Sequence, residues 1–260
     1  MTLTSYIKEF LFRVKKNTLG KAHKIKRSIY RLFLTKQNIT SENCFDVPII
    51  INNRNRYSYL KQMIEQLQQF GYKNIYILDN DSTYPPLLDY YKVTTATVIY
   101  LKRNMGYRAL WLNETFNQFK NKYYVYSDPD IIMQDSCPKD FVYKLYEALS
   151  KATYKEKAGV ALKINDLPEW YNLKNEVISW EKGNWENEID KDVYDAMVDT
   201  TLALYKPLSF GNAEECSAIR VAGKITAFHL PWYINSTQIS AEEMYYKEHV
   251  LSTSSYWSSK

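Results

Sequence analysis

Residues 47–80 read VPIIINNRNRYSYLKQMIEQLQQFGYKNIYILDN, and the apolar period within them changes twice. VPIIIN (47–52) is an unbroken apolar run of the kind that fills a strand buried on both faces. Leu60, Ile64, Leu67 and Phe70 then fall on one face of a helix over 58–70. Gly71 follows where a left-handed residue stops a helix. KNIYILD (73–79) is a second strand. Strand, helix and strand in that order make the unit of a parallel sheet.

The pattern continues outward. DNDSTYPP has turn chemistry, and a short helix is expected at 86–92. TVIYL (97–101) is a third strand. The stripe Leu110, Phe116, Phe119 predicts a helix over 107–119, YYVYS (123–127) a fourth strand, and residues 140–152 another helix. Strands alternating with helices imply an α/β fold, a mostly parallel sheet with helices on both faces. At 260 residues the chain fits one such domain or two small ones. Seven Gly and eight Pro exclude a low-complexity or disordered chain. Three scattered cysteines, Cys44, Cys137 and Cys216, suggest neither a disulfide framework nor a zinc cluster, and fit a reducing compartment.

The net charge of +5 is unevenly placed. Residues 1–36 hold ten Lys or Arg and one acid, a net of +9, and the remainder is net −4. Leu3, Tyr6, Ile7, Phe10, Leu11 and Val14 recur at helical steps among these charges. Residues 1–40 therefore read as a basic amphipathic arm. No uncharged run nears the ~20 residues of a spanning helix, and charges interrupt any signal-peptide core. Such an arm suits an anionic membrane surface, or packing on the body or on a second subunit. Nucleic acid is not expected, because the body has no basic patch to continue it.

Ligands of open α/β sheets bind beyond the carboxyl ends of the strands. Here those ends carry Asn52 to Arg56, Asp79 to Ser82, Lys102 to Gly106, and Asp128-Pro129-Asp130. Acids and bases on one rim suit an anionic, hydrogen-bonding ligand. Asp-x-Asp occurs at 79–81, 128–130 and 190–192. The last lies in a polar stretch and reads as a solvated face. Two close carboxylates after an apolar strand repel each other unless a cation lies between them, and a hard divalent metal takes such oxygens.

PIIINNRNRYSYL, YILDNDST, NMGYRALWLN and YVYSDPD, in that order, resemble the nucleotide-sugar half of a GT-A glycosyltransferase, closest to glycosyltransferase family 2 of the bacterial surface-polysaccharide type. The resemblance implies a nucleotide-sugar-binding half over 45–150 and an acceptor half over 151–260. It implies that Asn53, Arg54, Asp79, Asn104, Gly106 and Asp128 bind the donor, a UDP-sugar being favoured. Arg54 stands where the family usually has an aromatic residue. The resemblance further implies that Asp128 and Asp130 hold Mn²⁺ or Mg²⁺, with His229 of AFHLPWY a candidate third ligand or else a core histidine. The acceptor is a saccharide or lipid-linked saccharide, the reaction inverting, and the place cytoplasmic, on the inner face of the plasma membrane. Inversion needs a general base. Asp199 is the candidate, since flanking apolar residues should half-bury it and raise its pKa; Asp166 is its rival. Glu214, Glu215, Glu242 and Glu243 read as solvated. Trp170, Tyr171, Trp180, Trp232 and Tyr233 are core or acceptor-stacking residues. Two other classes stay open: a sugar nucleotidyltransferase, which should have a glycine-rich loop that INNRNRYS lacks, and a non-catalytic nucleotide- or carbohydrate-binding protein.

Overall fold

The computed structural model describes residues 29–31, 34, 37–211, 216–235 and 237–250. The basic arm expected over 1–40 lies largely outside the described residues, as do Glu214 and Glu215. Residues from Ile39 onward form one compact unit, a mixed α/β domain.

Its first half follows the expected alternation. β1 (Ile49–Asn53), α1 (Ser58–Phe70), β2 (Ile75–Asp79), α2 (Pro85–Tyr91), β3 (Thr97–Tyr100) and β4 (Tyr124–Ser127) succeed one another. β1 pairs in parallel with both β2 and β4, and β2 with β3. All five β1 residues are buried. Ile49, Ile51, Ile75 and Ile77 share one core with Leu60, Met63, Ile64 and Leu67 of α1. Ile50, Leu78, Tyr124 and Tyr126 face the other way, into a second core. This period of two is why the run could be apolar throughout. Gly71 takes φ +109° after α1, and the Tyr72 N–H returns to the Leu67 carbonyl at 3.0 Å, closing the helix end.

The second half extends the same sheet. β5 (Ile131–Met133), α3 (Phe141–Lys151), β6 (Lys157–Leu162), α4 (Lys174–Lys182), β7 (Glu188–Asp190), β8 (Val193–Tyr194), β9 (Ala203–Tyr205), β10 (Ala218–His229) and α5 (Ala241–His249) follow. The order is β3-β2-β1-β4-β9-β6-β10-β8-β7, with β5 beside β10. β9 runs antiparallel between β4 and β6, and β10 is parallel to β6. The central sheet is therefore largely parallel: β1 to β4, β6 and β10 all end on one edge.

Two local features differ from expectation. Residues 107–119 do not form an α-helix but two 3₁₀ turns, Gly106–Arg108 and Glu114–Gln118. The Asn113 side chain accepts the Thr115 N–H at 2.9 Å, which restarts the chain and breaks the helix. The apolar stripe still faces inward, with Leu110 and Phe119 in the second core. The other feature is β10, whose interruption by Arg220, Gly223 and Lys224 hides it in the sequence. Its register with β6 jumps between Val221 and Thr226. Gly223 sits in the jump at φ +62°, and a Cβ there would lie 2.7 Å from Asp192 Oδ2. The bulge lets one strand pair with β8 at its start and carry His229 to the carboxyl edge at its end.

Candidate active site

Asparagines stitch the loops of that edge together. Asn52 and Asn80 each give a side-chain N–H to the Gly106 carbonyl, at 3.3 and 3.0 Å. Asn80 Oδ1 accepts the Met105 N–H, and Asn104 Oδ1 the Gly106 N–H, at 2.7 and 2.9 Å. Gly106 has φ +70° with open space beside it, so the backbone conformation alone calls for glycine there. Asn55, itself left-handed at φ +56°, accepts the Thr83 and Tyr84 N–H groups. Asp79 is held from behind. Asn53 Nδ2 donates to the Tyr91 oxygen, and the Tyr91 O–H donates to Asp79 Oδ1, both at 2.9 Å. Burial, and then the Asp79 charge, push the Tyr91 pKa far up, so it stays a donor.

These loops leave buried polar atoms unmatched. Asn52 Oδ1, Asn53 Oδ1, Arg54 Nε, Asn55 Nδ2, Asp130 Oδ1 and His229 Nδ1 have no hydrogen-bond partner among the described residues. Asn52, Asn53 and Asn55 are no more than 8% exposed. A buried polar atom without a partner costs about 1–3 kcal/mol. Six of them lie on the ends of β1, β4 and β10, and each calls for a partner that the described residues do not supply.

Asp128 and Asp130 close β4. Burial pushes the Asp128 carboxyl well above the usual carboxylate range, the Asp130 charge adds to the rise, and the Thr200 hydroxyl, 2.5 Å from Oδ2, works against it. Asp130 meets His229 because β5 pairs with β10 in the register Ile131 to His229, with the Leu230 N–H on the Asp130 carbonyl at 2.9 Å. His229 Nε2 faces Asp130 Oδ1 at 3.7 Å, too far for a hydrogen bond. Its ring packs on Trp232, centroids 4.6 Å apart. Burial lowers the His229 pKa against the pull of Asp130, which keeps the imidazole neutral and fit to ligate. Among the described residues no three His, Cys, Asp or Glu are gathered closely enough to hold a metal as they stand. The donor types nonetheless fit one: two mutually repelling carboxylates, an unpartnered oxygen of Asp130 and a neutral imidazole facing it suit a divalent cation.

The turn before β9 lies beside this pair. The Thr200 carbonyl accepts the Asp128 N–H at 3.0 Å, and the Asp199 charge bears on Asp128. Two buried cations grip the turn: Arg220 Nε donates to the Met197 carbonyl at 2.6 Å, and Lys157 Nζ to the Asp199 carbonyl at 3.0 Å. The expected half-burial of Asp199 is not observed; its side chain is exposed. Val198 and Thr200 turn inward, and the alternation sends Asp199 out. Asp166 is paired instead, with Lys163 at 2.6 Å and the Tyr233 hydroxyl at 2.7 Å.

Sequence reasoning missed α5. Glu242 and Glu243 are not a solvated face: Glu243 is buried in an ion pair with Arg56, and Glu242 accepts the Tyr57 and Ser58 N–H groups at the start of α1. Arg54 gives a guanidinium N–H to the His249 carbonyl. The one signal was the double basic site Arg54, Arg56 facing a late acidic pair. Of the aromatic candidates, Tyr171 and Trp232 are core, while Trp170 and Trp180 are 59% and 65% exposed.

No protein-family model matches the chain, and no curated protein does. Solved structures share its path at low similarity. One is the mannosyltransferase PcManGT from Pyrobaculum calidifontis in complex with GDP-Man and Mn²⁺: TM-score 0.45, 12% identity, covering 76% of this chain and 59% of that one. This chain thus spans less than two thirds of its length. Another is glucosyl-3-phosphoglycerate synthase from Mycobacterium tuberculosis in complex with phosphoglyceric acid: TM-score 0.45, 11% identity, covering 75% and 78%. A third is a CMP:2-keto-3-deoxy-manno-octonic acid synthetase complexed with CTP: TM-score 0.34, 14% identity, covering 48% and 56%. Likeness at this level assigns no activity.

Proposed function

We propose that this chain is a GT-A glycosyltransferase, metal-dependent and inverting, that moves a sugar from a nucleotide-sugar, a UDP-sugar in the first instance, to a saccharide or lipid-linked saccharide of a bacterial surface polysaccharide. The observation that carries the reading is the gathering of unpartnered buried polar atoms and a repelling carboxylate pair on the carboxyl edge of a largely parallel sheet. In this reading Asn53, Arg54, Asp79, Asn104, Gly106 and Asp128 bind the donor. Asp128, Asp130 and His229 hold Mn²⁺ or Mg²⁺, which when bound offsets the negative charge left on the diphosphate. The acceptor hydroxyl oxygen bonds to the anomeric carbon as the carbon–oxygen bond to the diphosphate breaks. Asp199, exposed toward an incoming acceptor, takes the hydroxyl proton. The arm of residues 1–36 holds the enzyme to the cytoplasmic face of the membrane, where lipid-linked acceptors lie.

Hydrolysis of UDP- and GDP-sugars, with and without Mn²⁺, tests this. A transferase leaks donor to water slowly when the metal is present. Asp130→Ala should abolish that turnover and leave the fold intact, since removing one of two repelling carboxylates relieves the metal-free protein. A chain that binds nucleotide-sugars but hydrolyses none is a binding module, and undiminished turnover by Asp130→Ala removes the metal assignment.

A further inference from the structure

We propose that Glu243 is a positioning residue for the donor site: through Arg56 it fixes the end of β1 and the loop after it, which carry Asn53, Arg54 and Asn55, in the form that receives the nucleotide. The inference rests on the nucleotide-sugar reading above.

α5 lies across both loops that flank the Asn53–Tyr91–Asp79 chain. On the loop after β1, both terminal nitrogens of Arg56 reach the Glu243 carboxylate, and the two side chains are 4% and 6% exposed. The Arg56 guanidinium also lies over the Tyr246 ring, 3.3 Å from its centroid. The neighbouring Glu242 accepts the Tyr57 and Ser58 N–H groups at 2.7 and 3.0 Å. Tyr57, the residue before α1, gives no side-chain cap of its own, so Glu242 fills the place of one. On the loop after β2, Tyr245 packs on Tyr84, centroids 4.9 Å apart, and its hydroxyl meets Thr83 Oγ1 at 3.0 Å. Asn55 already joins the two loops through the Thr83 and Tyr84 N–H groups. One helix therefore sets the spacing between the loops while Asn53 Oδ1, Arg54 Nε and Asn55 Nδ2 stay unpartnered.

Stability alone does not account for the pair. Apolar side chains of similar volume often serve a fold as well as a buried ion pair. What the pair adds is orientation, because a planar guanidinium meets a carboxylate in a fixed fork. Arg56 stands two residues from Arg54 and three from Asn53, so its orientation is passed to the atoms that face the ligand.

The test is equilibrium binding of UDP and of GDP, each with Mn²⁺, to the full chain. Three proteins are compared well below their melting temperatures: wild type, Glu243→Gln, and the exchanged pair Arg56→Glu with Glu243→Arg. The expected result is affinity lowered roughly tenfold or more in Glu243→Gln and recovered in large part by the exchange. Equal affinity in all three proteins overturns the proposal and leaves the nucleotide-sugar reading standing. A loss that the exchange does not recover in a folded protein assigns it to general damage and also overturns the proposal. Wild type binding neither nucleotide overturns both. If Glu243→Gln does not fold, Arg56→Lys, which keeps the charge and loses the planar fork, takes its place; unchanged affinity there overturns the proposal.

Discussion

Asp199 and Asp166 are both exposed, and Asp166 is engaged by Lys163 and Tyr233. Burial opposes the charge of Asp166, yet the Lys163 ammonium and the Tyr233 hydroxyl together bring its pKa below the usual range. A carboxylate so engaged is a weak proton acceptor. Asp199 is exposed, with its carbonyl held by Lys157. We predict that Asp199→Asn lowers turnover by roughly 10²–10⁴, the usual worth of a general base, with donor affinity nearly unchanged; steady-state rates with the donor saturating check this. Asp166→Asn should leave turnover near wild type and act on stability instead. Because the folded pKa of Asp166 is depressed, its contribution is present above the unfolded value of about 4 and is lost as pH falls through the folded pKa. The melting difference between wild type and Asp166→Asn should therefore be small at neutral pH, given the partial exposure, and vanish in acid. A difference that grows in acid contradicts this account. Residue types singled out Asp79, Asp128, Asp130 and His229 in the sequence, and the fold brings His229 to face Asp130. Thr200 and Tyr91 were not, because each acts on a carboxylate through a contact that only the fold creates. The exposure of Asp199 was misjudged because apolar flanks do not say which way an alternating chain faces.

At the scale of elements, the strands of the first half and α1 were legible because their periods are clean and Gly71 marks a stop. The segment 107–119 was not, since its stripe has helical spacing while Asn113 offers the backbone a competing partner. β10 escaped because its polar residues are the cost of a bulge. That bulge makes a prediction. Gly223→Ala should destabilise by roughly 1–2 kcal/mol from its left-handed φ alone, plus a clash with Asp192. Adding Asp192→Gly, at a residue itself left-handed at φ +56°, should remove the clash and leave the backbone strain at 223. Chemical denaturation of the single and double variants measures the split, and equal stability of Gly223→Ala and wild type contradicts it. The strain falls on the strand that ends at His229, so weaker Mn²⁺ binding is expected alongside it.

At the scale of the whole molecule, the sequence divides charge between residues 1–36 at +9 and a remainder at −4. Among the described residues no helix is long and apolar enough to cross a membrane. Attraction to an anionic leaflet is worth ~1 kcal/mol per basic residue near the surface, so co-sedimentation with anionic vesicles should fall sharply when residues 1–36 are deleted. Equal binding by the shortened protein refutes the anchor, and binding that persists in high salt transfers the role to the Phe10 and Leu11 face. The α/β class was legible at this scale from alternation alone. The insertion of β9 between β4 and β6 was not, because three residues of strand carry too little pattern to say where they pair.

That insertion sets an order of assembly. β4 and β6 are made well before β9, yet neither can close its facing edge without it. A chain emerging from its N-terminus therefore holds the β1–β4 sheet, with a row of unpaired N–H and C=O groups along β4, apart from β6, whose other partner β10 comes later still, until residue 205 has been added. Such rows are where foreign strands attach, and pairings between distant segments form slowly. The turn at 197–200 arrives with the same strand, so the hydroxyl that steadies Asp128 and the carboxylate of Asp199 come into place only as β9 joins β4 to β6.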